Sequence, residues 1–311
     1  MIGGDFMQSI FIGSVIKQRR KELKLTQEQV CSGICDPVSL SRIENGKQTP
    51  SRSIVNALLQ RLGLPDNRYY AFASQRELEI ETLKKEIIAC NVTHDANGGF
   101  ELLSKLEEIV SPDDHLTKQF ILRSEALLGE LDKRYGFDKQ LELLTAALHL
   151  TVPDFDLNRI ENRLYTFDEL KTIIQIANVY SNFSQNEKAA DIFYQLLRYT
   201  QNHHQEVIIS GNILLLILYN YARVLDLSGR YSEGAKIAQE GRDSCIKYGH
   251  YQTLPGCLEI YGECCYFLGR KSESEEAYYQ AYYLCKLTDR KEDIETIKNE
   301  AKKYLNIEFH H

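Results

Sequence analysis

From about residue 80 to residue 288 the sequence repeats one pattern, in which an amphipathic helix, a tight turn and a second amphipathic helix follow each other. The clearest copy is "LEIYGECCYFLGRKSESEEAYYQAYYLCK", where Gly269 marks the turn and the small residues Gly262 and Ser274 lie where the two helices cross. A helix pair of this kind cannot bury its apolar face alone and must stack on its neighbours. The pattern therefore predicts an all-α chain, most of which is an array of stacked helix pairs.

Weaker copies of the pattern precede this one. "LYNYARVLDLSGRYSEGAKIAQEG" has its turn at Gly229, "EALLGELDKRYGFDKQLELLTAALHLTVP" has its turn at Gly136, and two fainter copies have predicted turns at Gln185 and Gly98. The five turns are separated by 38, 49, 44 and 40 residues, which exceeds the ~34 residues of an ideal tetratricopeptide repeat. The pattern resembles five degenerate tetratricopeptide repeats over residues 67–288, stacked as a right-handed superhelix. A capping helix and tail are predicted over residues 289–311.

Residues 1–66 have a different pattern, that of several short helices with strong end signals. Thr26 and Gln29 have the spacing of a capping box. Asp36 followed by Pro37 predicts an N-cap and a first helical position. Glycines expected at helix ends are Gly33, Gly46 and Gly63. These signals predict a small helical domain over residues 1–66.

Charge is distributed unevenly between this domain and the rest of the chain. Residues 1–65 hold nine basic and five acidic side chains, whereas the remainder holds 28 basic and 39 acidic ones. A basic head on an acidic body suggests that the head alone meets a polyanion. The helix predicted to start at Pro37 has a polar side of small hydroxyls and one arginine, and this composition suits a helix in the major groove of DNA. Taken alone, it suits a solvated surface helix equally well.

The order of residues in "LTQEQV…SLSRIENGKQTPS" favours DNA, because it closely resembles the Xre/Cro-type helix-turn-helix of the lambda-repressor-like family. The resemblance covers roughly residues 11–64. It implies that Gln27 contacts a phosphate or a base edge, that Val38, Ser39 and Arg42 face bases, and that Ser41 and Lys47 lie near the DNA backbone. It also implies that Arg20 and Glu44 form a structural ion pair.

The turn "SGICDPVSLS" is one residue shorter than in phage repressors, a form that resembles the PlcR and Rgg branch of bacterial regulators. With the degenerate repeats, nearly the whole chain resembles PlcR/Rgg-type (RRNPP) peptide-pheromone-responsive transcriptional regulators. The resemblance implies a cytoplasmic, sequence-specific regulator of quorum-sensing type. Its implied partners are a second copy of the chain, a pseudo-palindromic double-stranded DNA operator, and a short signalling peptide in the concave groove of the repeats.

The first helix of each pair is expected to line that groove. Residues predicted there are Lys85, Arg123, Glu130, Gln175, Asn178, Asn182, Tyr219, Asn220, Arg223, Glu259, Glu263 and Tyr266. Asn178 and Asn220 are 42 residues apart, close to one repeat, and an amide can donate to and accept from a peptide backbone. The resemblance implies that these two residues clamp the peptide. An isolated asparagine on a helix is usually solvated, so the pattern alone leaves both interpretations open.

Other classes of function find little support. The chain has no HExxH, GxSxG or GxxxxGK[ST] motif, no CxxC pair and no zinc-finger spacing, so neither an enzyme nor a metal or cofactor site is expected. The eight cysteines fit buried thiols in a reducing compartment. No apolar run approaches the ~20 residues that span a bilayer, so no membrane partner is expected. His203 and His204 are expected to be solvated in a loop. The alternative function is a repeat scaffold for a protein partner, with a head that tethers it to DNA.

Overall fold

The computed structural model describes residues 3–64, 75–202 and 212–309. In these ranges the chain forms fifteen α-helices, one turn of 3-10 helix at Ile160–Asn162, and no strand. The helices are α1 (Gly3–Glu22), α2 (Gln27–Cys31), α3 (Pro37–Glu44), α4 (Arg52–Arg61), α5 (Gln75–Val92), α6 (Ala96–Ile109), α7 (His115–Leu131), α8 (Phe137–His149), α9 (Phe167–Asn182), α10 (Asn186–Asn202), α11 (Ile213–Leu227), α12 (Tyr231–Tyr248), α13 (Leu254–Phe267), α14 (Lys271–Leu287) and α15 (Lys291–Leu305).

The residues predicted to cap the helices of the head do so in the structure. The Gln29 N–H donates to Thr26 Oγ1 (3.2 Å), and the Thr26 N–H donates to Gln29 Oε1 (2.8 Å), which completes the capping box of α2. Asp36 Oδ1 accepts from the Ser39 N–H (2.8 Å) at the start of α3. The four helices enclose a small apolar core, whose fully buried members are Ile16, Val30, Leu40, Leu58, Leu59 and Leu62. The capped helix ends and the shared core fix the orientation of α3 within the head.

The turns of the repeats share one backbone conformation. A residue with φ between 53° and 74° follows the first helix of each pair and also follows α14. Except after Lys133, the next N–H bonds back into the helix, as Arg270 does to the Cys265 carbonyl (2.9 Å). The residues at these positions are His94, Lys133, Ser184, Gly229, Gly269 and Asp289. The turns predicted at Gly229 and Gly269 are confirmed.

The turn predicted at Gly98 is wrong. Gly98 lies inside the first turn of α6, where its N–H donates to Asp95 Oδ1 (3.0 Å), and the left-handed residue is His94. Gly136 is the residue before α8, three positions after the left-handed Lys133, and Gln185 follows the left-handed Ser184. Gly136 and Gln185 therefore lie in the turns between helices, as predicted. The Gly98 prediction failed because His94 occupies a backbone position where glycine is expected.

The described residues fall into two compact units, one ending at Val179 and the other beginning at Tyr180. The first contains α1–α8 and most of α9, and the second contains α10–α15. The domain boundary predicted after residue 66 lies outside the described residues. The eight cysteines are free thiols, and six of them are buried. Among the described helices, none is both long and apolar enough to cross a membrane.

Within the first unit, the head is fixed to the start of α9 by a buried ion pair. Arg61 of α4 and Glu169 of α9 are 3% and 0% exposed, and Arg61 Nη2 donates to Glu169 Oε1 at 2.9 Å. Glu169 Oε2 also accepts from the Thr166 N–H (2.6 Å), and Gln60 Oε1 accepts from the Phe167 N–H (2.9 Å). Two hydrogen bonds, one of them an ion pair, therefore join the end of α4 to the beginning of α9.

The backbone of the head also approaches the loop after α8 very closely. Gly33, with φ +72°, lies so near this loop that a Cβ atom would stand 1.7 Å from the Thr151 carbonyl oxygen. No other residue type fits there without moving one of the two backbones.

Candidate nucleic-acid interface and concave helix faces

The outer side of α3 borders a shallow surface concavity of ≈ 390 Å³. Its lining residues are Gln27, Pro37, Val38, Ser41, Arg42, Asn45 and Lys47. The Val38 side chain is 60% exposed, and Arg42 and Lys47 are also accessible to solvent. Across the described residues, the Arg42 guanidinium has no hydrogen-bond or ion-pair partner. The surface thus offers an external partner two cations, Arg42 and Lys47, and one apolar side chain, Val38.

Two residues predicted to read DNA have internal roles. The Ser39 hydroxyl donates to Asp36 Oδ2 (2.6 Å), and Ser39 does not line the concavity. Its hydrogen bonds lower the pKa of Asp36 below the usual value. The Gln27 side chain does line the concavity, but its Nε2 donates to Glu44 Oε2 (2.8 Å). Both residues therefore help to shape the surface.

Arg20 of α1 and Glu44 of α3 form the ion pair that the family resemblance implied. Arg20 Nε and Nη2 donate to the two Glu44 carboxylate oxygens at 2.6 Å and 2.9 Å, and Arg20 Nη1 donates to the Leu25 carbonyl (3.0 Å). Burial would raise the pKa of Glu44, but hydrogen bonds from Arg20 and Gln27 hold it below its usual value. The pair fixes α3 against α1 and leaves neither charge for DNA.

Sequence reasoning missed Asn45 and Lys17 at this surface. Lys17 Nζ donates to Asn45 Oδ1 (2.7 Å), and Asn45 Nδ2 donates to the Ser41 carbonyl (2.7 Å). The signal was present in "ENGK", where an asparagine stands between the helix end and Gly46.

In the first unit, α7 and α9 share a polar strip in which side chains seven residues apart form matching pairs. Arg123 Nη1 and Asp168 Oδ1 are 3.1 Å apart, and Gln175 Nε2 donates to Glu130 Oε2 (2.8 Å). Three of these residues were predicted to line the groove, and Asp168 was not. Burial would raise the pKa of Asp168, but the cations Arg123 and Lys171 lower it.

The first repeat contributes Lys84 to this region. Lys84 Nζ lies 5.6 Å from the centre of the Phe120 ring, and the Arg123 guanidinium lies 5.7 Å from the same ring. The predicted residue, Lys85, is exposed and lies outside this set of contacts. Lys84 and Lys85 differ on the helix by a rotation of about 100°.

Asn178 lies on α9, one turn beyond Gln175. Its side chain is half-buried, and Oδ1 is shielded from solvent without a hydrogen-bond partner in the described parts of the chain. A buried carbonyl oxygen in this state costs free energy until a donor reaches it. Asn182, the next predicted residue, is exposed.

In the second unit, the predicted residues on α11 and α13 are largely engaged within the protein. Asn220 Nδ2 donates to the Leu216 carbonyl of its own helix (2.8 Å). The Tyr304 hydroxyl donates to Glu263, and the rings of Tyr266 and Tyr304 are 5.0 Å apart. The remaining predicted residues, Tyr219, Arg223 and Glu259, are half-buried. Asn178 belongs to the first unit and Asn220 to the second.

Acidic side chains converge between α11, α13 and α15. Burial and the neighbouring Glu263 raise the pKa of Asp226 to about 7, and burial with Glu300 raises the pKa of Glu259 to about 8. Burial and Glu263 also raise the pKa of Glu300. Of this cluster, Asp226 and Glu300 were missed, because "VLDL" and "IKNEAKK" read as ordinary solvated faces. Among the described residues, no group of three or more His, Cys, Asp or Glu side chains could hold a metal ion, and His203 and His204 lie outside them.

The acidic cluster predicts a pH-dependent stability. Folded-state pKa values above the ordinary ~4 mean that folding favours the protonated carboxyls, so their contribution to stability is lost as the pH rises through about 7 to 8. We expect Glu259→Gln to stabilise the protein by about 1–2 kcal/mol at pH 8.5 and much less at pH 6. Thermal unfolding followed by circular dichroism measures this difference. Glu295→Gln, an exposed carboxylate on α15, is the control; equal effects from both changes would contradict the prediction.

Comparison with known proteins gives a family match for the head and structural matches for nearly the whole chain. Residues 12–69 match the family model for a helix-turn-helix domain. Bacillus thuringiensis PlcR in complex with the peptide PapR7 and DNA is 21% identical, with a TM-score of 0.62, over 93% of this chain and 99% of that one. The apo competence regulator ComR from Streptococcus vestibularis is 16% identical, with a TM-score of 0.53, over 96% and 99%.

A variant of the Streptococcus dysgalactiae SHP pheromone receptor Rgg2 is 12% identical, with a TM-score of 0.51, over 94% and 99% of the two chains. No curated protein matches the sequence. At these identities the solved structures establish the fold. Over the described residues, the head is therefore a helix-turn-helix domain, and the chain has the fold of PlcR, ComR and Rgg2.

Proposed function

We propose that this protein is a sequence-specific DNA-binding transcriptional regulator whose activity a short signalling peptide controls. The observation that carries the proposal is the likeness of head and repeats together, over 93% of the chain, to PlcR solved with both a peptide and DNA. The proposed location is the cytoplasm, where DNA and reduced thiols are found. The proposed domains are a reading head over residues 1–66, a peptide-binding and dimerisation array over 67–288, and a cap over 289–311.

For DNA recognition, α3 enters the major groove. The unengaged Arg42 guanidinium is the group suited to the paired acceptors of a guanine, and the exposed Val38 suits a thymine methyl group. Lys47 and Ser41 contact phosphates and set the position of the helix. Gln27 and Ser39 act indirectly, since Glu44 and Asp36 hold their side chains. Two copies of the chain place two heads on half-sites one helical turn, about 34 Å, or a multiple apart.

For peptide recognition, the polar strip of α7 and α9 is the best-supported surface in the first unit. Its paired side chains are followed along α9, one turn after Gln175, by the amide oxygen of Asn178, which lacks a donor among the described residues. A peptide backbone N–H supplies that donor. The peptide controls the head by binding one conformation of the protein more tightly than another, because equal affinity for both would shift nothing.

Selection from a pool of random duplex DNA tests the DNA half of the proposal. The wild-type protein should enrich a pseudo-palindromic sequence, whereas Arg42→Ala should lose preference at one position in each half-site. A pool that stays random after selection would contradict sequence-specific binding. If a stoichiometric protein partner co-purified instead and short peptides left DNA binding unchanged, the protein would be the repeat scaffold.

Asn178→Ala separates a ligand contact from a structural one. Because Oδ1 has no partner in the described structure, its removal should leave stability unchanged or slightly higher. Loss of a hydrogen bond to the peptide should weaken binding about tenfold. Peptides encoded near the gene, screened by thermal shift against the wild type, provide the probe, and titration with the best one provides the affinity. The control is Asn299→Ala, an exposed asparagine on α15. An undiminished affinity of Asn178→Ala would show that Asn178 does not clamp the peptide.

A further inference from the structure

A cavity of ≈ 710 Å³ lies in the first unit, where the head meets the loop that joins α8 to α9. Six of its lining residues belong to the head, at positions 25–32 and 61, and eight belong to the loop, at positions 151–164. None of the residues that line the concavity beside α3 or form the polar strip of α7 and α9 contributes to it. Its volume is in the range of about 300–1,000 Å³ that is typical of small-molecule sites.

The wall of this cavity carries both signs of charge in equal number. Its basic residues are Arg61, Arg159 and Arg163, and its acidic residues are Glu28, Asp154 and Asp156. Among the described residues, no aromatic ring lines the cavity. A wall of balanced charge attracts a polyanion only weakly, and a nucleotide base has no ring on which to stack. The wall therefore favours a small polar ligand without a large net charge.

Arg61 has an unmet hydrogen-bond donor at this wall. Its side chain is 3% exposed. Nη1 donates to the carbonyl oxygens of Val30 and Ser32, and Nη2 donates to Glu169. Nε, in contrast, is shielded from solvent and has no acceptor in the described parts of the chain. A buried N–H in this state costs free energy until an oxygen reaches it, so Arg61 calls for an acceptor.

Glu28 has the opposite requirement. Its carboxylate is exposed, lines the cavity and has no hydrogen-bond or ion-pair partner across the described residues. On the loop side, the Arg159 side chain is 77% exposed, and Asp156 Oδ2 lies 3.8 Å from its Nε. An ion pair of that length leaves the guanidinium available for a shorter, charge-assisted bond to a ligand carboxylate. The cavity thus calls for a cation at Glu28 and for carboxylate oxygens at the arginines.

We propose that this cavity binds a small zwitterion, a free α-amino acid or a dipeptide, at a site separate from that of the signalling peptide. The ammonium group of the ligand meets Glu28, and its carboxylate offers oxygens to Arg159 and to the Nε–H of Arg61. Because the wall belongs to both the head and the loop, the bound ligand favours the conformation in which the two are in contact. The test requires neither DNA nor the signalling peptide, so it is independent of the proposed function.

Thermal shift of the full chain identifies the ligand. The probes are the standard α-amino acids and their dipeptides with glycine, each at about 5 mM, and at least one should raise Tm by about 2–4 °C. The larger shift, from an amino acid or from a dipeptide, distinguishes the two sizes of ligand. The N-acetyl and amide derivatives of the best probe each lack one charge and should give no shift. The proposal is wrong if no probe shifts Tm or if these derivatives act as the probe does.

Charge-neutralising variants locate the site. Glu28→Gln and Arg159→Gln should each raise the Kd of the best probe about tenfold in isothermal titration calorimetry. The matched controls, Glu107→Gln and Arg134→Gln, change exposed charges outside the cavity and should leave Kd unchanged. Circular dichroism verifies that every variant is folded. An unchanged Kd in both cavity variants, or an equal change in the controls, would overturn the proposal. So would binding that Asn178→Ala abolishes and Glu28→Gln does not, because the probe would then occupy the polar strip.

Discussion

Replacing Arg61 with alanine will lower the free energy of unfolding of the first unit by about 3–5 kcal/mol, because it leaves the carboxylate of Glu169 buried without its counter-charge. Glu169 is 0% exposed, and Arg61 is the cation that meets it, at 2.9 Å. The same guanidinium also donates to the carbonyl oxygens of Val30 and Ser32, so α2 loses support as well. Urea unfolding followed by circular dichroism gives the loss.

Arg163→Ala is the matched control. Arg163 pairs with Asp154 at the surface, and exposed pairs contribute about 0–1 kcal/mol. A double change, Arg61→Met with Glu169→Leu, should be less harmful than Arg61→Ala with its orphaned charge, since an apolar pair of similar volume can replace a buried ion pair. A loss below about 1 kcal/mol for Arg61→Ala would contradict the prediction.

Arg42→Ala will weaken binding to the selected operator by roughly 1–3 kcal/mol and relax its sequence preference. The reason is that Arg42 has no internal partner in the described chain, so its removal costs no fold contact and any loss belongs to DNA. Fluorescence anisotropy with the operator and with a scrambled duplex, at one fixed salt concentration, separates specific from non-specific affinity.

Lys47→Ala provides the comparison. As a phosphate contact, it should weaken both duplexes alike and reduce the salt slope by about one. If Arg42→Ala behaved in the same manner, Arg42 would be a backbone contact. If Arg42→Ala bound the operator as the wild type does, α3 would not be the reading helix.

Local rules of the backbone made the head predictable. Capping residues act within four positions along the chain, so Thr26, Gln29 and Asp36 could be assigned from spacing alone. The repeats were predictable as helix pairs for the same reason, since small residues and apolar periodicity are local. Where the turn residue is lysine, histidine or serine, no glycine marks the turn in the sequence. The glycine pattern therefore predicts a turn at Gly98, whereas the turn residue is His94.

The polar faces of the repeat helices were harder to predict. They depend on how each helix is rotated and on contacts between residues that are distant in the sequence. Lys84 and Lys85 differ by about 100° around α5, and apolar periodicity did not choose between them. The pairing of Glu169 with Arg61 joins positions 108 apart. Asp226 and Glu300 look solvated until three helices bring them together. Interactions between charged residues that are distant in the sequence can be identified only once the fold is known.

The buried contact between Arg61 and Glu169, with Gly33 against Thr151, bears on how proteins with this fold can diversify. A reading head exchanged between relatives would arrive with its own residue at position 61 and would need a compatible acid on the receiving helix. Grafts that carry both members of the pair should fold, whereas grafts cut between them should not. New DNA specificity is therefore expected to arise by substitution on α3 more readily than by recombination between head and repeats.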